Sequence, residues 1–363
     1  MPLNLLASIP VLIWAYLVFA RGGFWRVSRH LAPVGLPPVE AKFVVAVIPA
    51  RDEAVSIAAT VRSLTRQGVR VFVVDDNSTD GTGTVAFAAG AEVIKGKPLV
   101  PGWSGKLWAL SQGVAQAEKL NPDYLLLTDA DISHDPASVE QLVAIAQSGR
   151  YDLTSFMVKL ACATTAEKSL IPAFVFFFFI LYPPRKAAGA AGGCILIRRE
   201  ALRRIGGLNA IRSEVIDDCA LARAVVKTGG RVWLGLTPST HSTRSYETFA
   251  EVGRMISRTA FNQLRHSALL LAGTVVGLIF TYLLPPALVL TGRPVPLLLG
   301  SAAWLLMTIA YSPMVRFYGL SIVWSLTLPL VAIFYMGATL WSAIRYWSGR
   351  GGLWKGRVQD LRK

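Results

Sequence analysis

FVVAVIPARDEAVSIAATVRSLTRQGVRVFVVDDNSTDGT, residues 43–82, decides the fold. It opens on Phe43-Val44-Val45-Ala46-Val47-Ile48, an unbroken apolar run of the kind a strand buried on both faces requires. Ala54 to Gln67 reads as a helix that Gly68 ends, and Val69 to Val74 reads as a second apolar strand. Strand, helix and strand within about thirty residues make a βαβ unit, right-handed by default. The second strand stops at Asp75-Asp76-Asn77-Ser78-Thr79-Asp80-Gly81-Thr82, a stretch rich in turn residues.

The alternation continues outward. A helix is expected over Thr82 to Ala89, a strand over Ala91 to Ile94, a loop over Lys95 to Gly105 and a helix over Lys106 to Lys119. Tyr124 to Thr128 is the next strand, and it runs into Asp129-Ala130-Asp131. This order predicts an α/β fold with a doubly wound, mostly parallel sheet and ligands at the carboxyl ends of its strands. Further on, the small-residue loop Ala187 to Gly193 enters a strand over Cys194 to Ile197. Arg198 to Ile205 is helical and ended by Gly206-Gly207, Asp217 begins a helix to about Lys227, and Arg231 to Leu236 is the last strand.

Composition sets this domain in a membrane protein. Hydrophobic residues make up 53% and charged residues only 16% of the 363, against the about 25% charge of ordinary soluble chains. The net charge of +15 would suit nucleic acid, but basic residues beside apolar segments face anionic lipid, and nucleic-acid binding is not expected. Cys162, Cys194 and Cys219 have no metal-ligand spacing and form no disulfide framework, which fits a reducing compartment.

The apolar excess falls in a few runs. Residues 1–21 read as an N-terminal transmembrane helix without the pattern of a secretory signal. Arg21 ends it, Arg26 and Arg29 follow within a basic linker over residues 22–41, and the three put the following domain in the cytoplasm. Residues 42–245 are the expected catalytic domain. Within it Ile171 to Tyr182, with five phenylalanines and no charge, is too short to span and reads as an interfacial or re-entrant segment, a buried core helix being the alternative. Residues 246–266 read as a basic amphipathic helix with Arg254 and Arg258 on its polar side. Residues 268–344 hold three uncharged runs, 268–292 (broken by Pro285-Pro286), 294–315 and 317–344. The tail, 345–363, has six basic residues and one acid, which argues for the cytoplasm, whereas one span before the domain and three after it put that tail outside; one late segment being re-entrant would reconcile the two.

Candidate chemistry lies at the strand ends. Alternate strand residues share a face, so Asp129 and Asp131 can present two hard oxygen ligands side by side, as Mg²⁺ or Mn²⁺ carrying a diphosphate requires. Pro49-Ala50-Arg51-Asp52-Glu53 ends the first strand; it is no glycine-rich dinucleotide turn but can line a nucleotide pocket. Asp75 and Asp76 can hydrogen-bond a base or ribose. Asp217 and Asp218 place carboxylates at a helix start, where they can also act simply as caps.

In order and spacing these motifs resemble the family 2 glycosyltransferases of the GT-A fold: IPARDE, VVDDNSTDGT, GWSGKLWAL, LLLTDAD, AGGCILIRREALRRIGG and VIDDCALA. The resemblance covers residues 42–265, and GWSGK, RTAFNQLRHS and GRGGLWKGR are most similar to the hopanoid-associated glycosyltransferases. It implies an enzyme that moves a sugar from a nucleotide-sugar, most simply a UDP-sugar, to a lipid acceptor at the cytoplasmic membrane of a bacterial-type cell. Pro49, Ala50, Arg51, Glu53, Asp75 or Asp76, Lys106 and Asp129 would meet the donor. Asp129 and Asp131 would hold Mg²⁺ or Mn²⁺. Asp218 would be the general base, with Asp217 standing where the family has glutamate. Gly192, Gly193, Arg254 and Arg258 would serve the acceptor side. The chain departs from the processive members, which carry Gln/Arg-x-x-Arg-Trp; Arg254-Met255-Ile256-Ser257-Arg258-Thr259 lacks the tryptophan, which favours transfer of a single sugar. A nucleotidyl- or phosphosugar-transferase and a lipid-binding or transport protein are the rival classes. The first would release pyrophosphate, and the second would need charged residues inside its spans, where these runs have none.

Overall fold

A computed structural model describes residues 2–36, 40–184, 186–351, 353–354 and 357–358. The chain divides into two compact units. One, an α/β unit, takes residues 31–161, 187–245 and 353–363; the other, a helical unit, takes residues 1–30, 162–186 and 246–352.

The main sheet of the α/β unit has eight strands among the described residues: β1 (Val44–Ala50), β2 (Arg70–Asp75), β3 (Glu92–Lys95), β4 (Tyr124–Thr128), β5 (Ile132–His134), β6 (Leu153–Lys159), β7 (Cys194–Arg198) and β8 (Val232–Ser242). Their order across the sheet is β3-β2-β1-β4-β7-β6-β8-β5. β1 pairs in parallel with β2 and β4, β2 with β3, and β6 with β8. β7 is antiparallel to β4 and β6, and β5 to β8. The sheet is therefore mostly parallel, as expected, with its mixed half beginning at β7.

Strand alternation sends successive side chains to two cores. Ala46 and Ile48 join Ile57, Val61 and Leu142 on one face, while Val45 and Val47 join Leu107, Leu110 and Leu221 on the other. Helices cover both faces, which is why β1 is apolar at every position. Gly113 shows how closely the Gly105–Ala117 helix approaches the sheet: a Cβ there would stand 2.4 Å from a Val47 methyl.

Three features position the site. The β4–β7 register pairs Thr128 with Cys194, so the loop before β7 arrives at the carboxyl end of β4. β5, the Ser138–Ser148 helix and β6, none of them anticipated, fill the stretch after Asp131. β8 runs past the expected Leu236 to Ser242 because its last turn of strand pairs with β5.

The helical unit contains helices over Pro2–Phe19, Thr165–Leu181, Ala268–Val289, Pro294–Phe317 and Ile322–Trp347. The last three are long and apolar enough to cross a membrane; Leu3–Phe19 is shorter. The phenylalanine-rich segment starts earlier than the expected Ile171, because Thr164 and Glu167 form a capping box at its N-terminus. Pro285-Pro286 does not break the helix beginning at Ala268; a wider π turn over Ile279–Leu283 absorbs the lost donors. The expected helix over 246–266 is instead two pieces, Phe249–Ser257 and Ala260–Gln263. Ser342 causes the break: its Oγ donates to the Ser257 carbonyl and accepts from Phe261 N, two groups that a continuous helix would have bonded to each other. Of the basic tail, residues 352, 355–356 and 359–363 lie outside the described residues.

Candidate active site

The site forms where the carboxyl ends of β1 and β4 meet two helix N-termini. Lys106, at the second position of the Gly105–Ala117 helix, reaches back to put Nζ 2.9 Å from Asp129 Oδ1 and 3.5 Å from Asp217 Oδ2. Burial works against its charge, but Asp129, Asp217 and Asp218 outweigh that and hold its pKa above the ordinary lysine range. Lys106 is a fixed cation.

Asp218 is the second residue of the helix Asp217–Lys227. Its Oδ2 accepts from the Gly192 backbone N at 2.8 Å, and its Oδ1 accepts from Cys219 N at 2.7 Å. Burial, and next the adjacent Asp217 charge, push its pKa up to about 6, against the pull of Lys106. A carboxylate titrating there is poised for general base work near neutral pH. Gly192 has no room to spare: a Cβ would stand 3.3 Å from both Asp218 Oδ2 and Lys106 Nζ.

Lys106, Asp129, Asp217, Asp218, Gly192 and Pro49 line one cleft together with several leucines. Thr128 anchors the rim: its Oγ1 donates to the Gly193 carbonyl at 2.7 Å and lies 3.1 Å from His134 Nε2. His134 is buried and stays neutral, its pKa pushed down to about 3 by desolvation.

On the other side of Ala130 the chain is held by its backbone. Thr60 Oγ1 donates to the Ala130 carbonyl at 2.8 Å, and Thr243 N donates to the Asp131 carbonyl at 2.8 Å. The Asp131 carboxylate accepts from Arg244 Nε at 2.7 Å, and Arg244 also binds Glu53. Burial, and then the Asp129 charge, raise the Asp131 pKa, while Arg244 opposes the rise. Two carboxylates that burden each other are a donor set suited to a hard divalent cation. Among the described residues they belong to no group of three or more His, Cys, Asp or Glu side chains placed to hold a metal. Two carboxylates fit an ion that takes its remaining ligands from water and phosphate.

The loops after β1 and β2 are knitted together. Arg51 Nη1 donates to the Asp76 carbonyl at 2.6 Å, Thr79 N to Asp52 at 2.8 Å, Ala54 N to Asp80 at 2.9 Å, and Glu53 N to Thr82 Oγ1 at 2.8 Å. Asp76 is almost wholly buried, whereas Asp75 accepts from Ser78 N and keeps partial exposure.

Of the residues singled out by sequence, the fold thus gathers Pro49, Lys106, Asp129, Gly192, Asp217 and Asp218 in one cleft. It sets Asp131 and Glu53 on a shared arginine. Ala50 is fully buried, and Gly193 packs against Val158 and Ile132. Arg254 and Arg258 belong to the helical unit, where Arg254 lies 3.8 Å from Glu251. Arg244 was missed. The signal available for it was a cation just beyond a strand end, which is too common a pattern to single out alone.

Residues 45–206 match the family model described as Glycosyl transferase family 2. That match spans 162 of the 363 residues, less than half of the chain. An uncharacterized protein of Methanocaldococcus jannaschii is 33% identical over 108 residues, 30% of this chain; the match spans only 43% of that relative's length. The mannosyltransferase of Pyrobaculum calidifontis, solved with GDP-Man and Mn²⁺, has a similar fold at a TM-score of 0.53 and 17% identity, covering 93% of this chain and 99% of that one. Glucosyl-3-phosphoglycerate synthase of Mycobacterium tuberculosis, solved with Mn²⁺ and UDP-Glc, reaches a TM-score of 0.42 at 17% identity over 67% of this chain and 83% of that one, a likeness that carries no argument. The fold is of the GT-A type, with three apolar helices toward the C-terminus and a shorter one at the N-terminus.

Proposed function

We propose that the protein is an inverting glycosyltransferase that moves one sugar from a nucleoside diphosphate sugar to the hydroxyl of a membrane lipid. The observation that carries this reading is the placement of Asp218, with its raised pKa, in the same cleft as the Lys106–Asp129 pair. Asp218 takes the proton of the acceptor hydroxyl as that oxygen attacks the anomeric carbon. The bond from that carbon to the diphosphate oxygen breaks on the opposite face, and the nucleoside diphosphate leaves with its electron pair. Backbone donation from Gly192 and Cys219 fixes the carboxylate for this task. Lys106 contributes a permanent positive charge beside the departing diphosphate.

Asp129 and Asp131 are the residues that would hold Mg²⁺ or Mn²⁺. When bound, such an ion supplies charge stabilisation to the leaving group. Arg51, Glu53 and the acids Asp75 and Asp76 are assigned to the nucleoside end of the donor. UDP-sugars are the first donors to try, and GDP-mannose the second, since the similar mannosyltransferase was solved with it.

Three helices of membrane-spanning length support a lipid acceptor, and the finer sequence resemblance makes a hopanoid the first candidate. Arg21, Arg26 and Arg29 after the first apolar helix support a catalytic domain in the cytoplasm. Membranes incubated with labelled UDP- and GDP-sugars should yield a labelled lipid and free nucleoside diphosphate. Pyrophosphate as the product would overturn the reading in favour of nucleotidyl transfer.

A further inference from the structure

Arg244 lies outside every motif of the sequence, yet it occupies a carboxylate assigned to the metal. Main-chain geometry delivers it there. β8 and β5 pair in the register Ile132↔Ser242, and Thr243 donates to the Asp131 carbonyl from both its backbone N and its Oγ1, at 2.8 and 3.0 Å. Arg244 follows directly, and its side chain reaches the Asp131 carboxylate. Its guanidinium forks between two acids from different strand ends, Nε to Asp131 Oδ2 at 2.7 Å and Nη2 to Glu53 Oε1. A planar fork can span two carboxylates in this way, whereas an ammonium acts as a point charge.

The charges at this spot conflict with a metal. Asp131 and Glu53 side chains are only 16% and 13% exposed, so their charges are poorly screened. A divalent ion on Asp129 and Asp131 would set two further positive charges against the guanidinium, and both would compete for Asp131 Oδ2. The arginine is the more exposed of the two partners and the one that yields. It is 37% exposed, at the end of a flexible stem, and it keeps Glu53 as an alternative anchor. Lys106 has no comparable need to move, because it binds the other acid and also Asp217.

We propose that Arg244 is a resident counter-ion that neutralises Asp131 in the unloaded site and that a divalent metal must displace from that carboxylate on entering. This inference rests on the assignment of Asp129 and Asp131 as metal ligands. The displaced guanidinium stays on Glu53, so the metal-free site is kept ordered without a metal and its affinity for one is held down.

The test is titration of the purified full-length protein with Mn²⁺ alone, without nucleotide, followed by electron paramagnetic resonance of the free ion. Arg244→Gln should bind Mn²⁺ about tenfold more tightly than the natural protein, the equivalent of one pKa unit of relieved competition. Arg244→Lys, which cannot fork across both acids, should bind about threefold more tightly. It serves as the test should Arg244→Gln fail to fold, as judged by its circular dichroism. Mn²⁺ binding that is lost in Asp131→Asn but unchanged or weakened in both arginine variants overturns the counter-ion role alone. Binding that survives Asp129→Asn and Asp131→Asn removes the metal-site assignment, and the proposal with it.

Discussion

Two cations flank Asp129-Ala130-Asp131, and they differ in almost everything except charge. Lys106 comes from a helix start, is 18% exposed and is tied to acids on two elements, Asp129 and Asp217. Arg244 comes from the chain beyond a strand, is 37% exposed and links Asp131 to Glu53. The Lys106 side also holds Asp218 and opens into the cleft, whereas the Arg244 side binds together the ends of β4 and β8 and the loop after β1. Within one short acidic stretch, Lys106 therefore belongs to the charge balance of the cleft that holds Asp218, and Arg244 to a carboxylate that the proposed metal would claim.

The largest effect should come from the Lys106 side. Asp218→Asn should lower kcat about 10²- to 10⁴-fold while leaving the donor dissociation constant nearly unchanged, as a general base requires. Stopped-flow transfer together with equilibrium donor binding separates the two quantities; equal rates would remove Asp218 from the base role. Lys106→Met should lower kcat/KM about 10²-fold, because it removes the charge beside the leaving group and leaves three acids facing one another. A loss confined to KM would instead make Lys106 a binding group only. Gly192→Ala should be the mildest. Its Cβ presses on Asp218 Oδ2 and Lys106 Nζ at 3.3 Å, and both are ends of side chains that can give a few tenths of an ångström. An approximately threefold fall in kcat is expected, with thermal stability changed by less than about 1.5 kcal/mol.

The parts of this arrangement that could be read in advance are those set by local pattern. β1, β2 and β4 were expected within two residues of where they lie, because an apolar run closed by turn residues has few other readings. The helix starting at Asp217 was legible for a similar reason, its periodicity being closed by the glycines after Thr228. What escaped was set by partners distant in sequence. Ser342 splits the helix near Thr259 from more than eighty residues away. β8 extends to Ser242 because β5 lies beside it, and β5 is too short to announce itself. Arg244 acquires its role from a register between those two strands. Nor does spacing alone convey that Asp129 and Asp131, two residues apart, are held by cations from two different elements.

The most direct measurement is the pH dependence of kcat, for the natural protein and for Lys106→Met. In the proposed reaction Asp218 serves as base only when ionised, and burial beside Asp217 raises its pKa to about 6. The rate should therefore fall as pH drops through about 6. Lys106 holds that pKa down, so removing it should move the acid limb to higher pH. A limb near pH 6 that shifts upward in Lys106→Met is the predicted result. A rate independent of pH across that range, or a limb that shifts downward, would contradict the account.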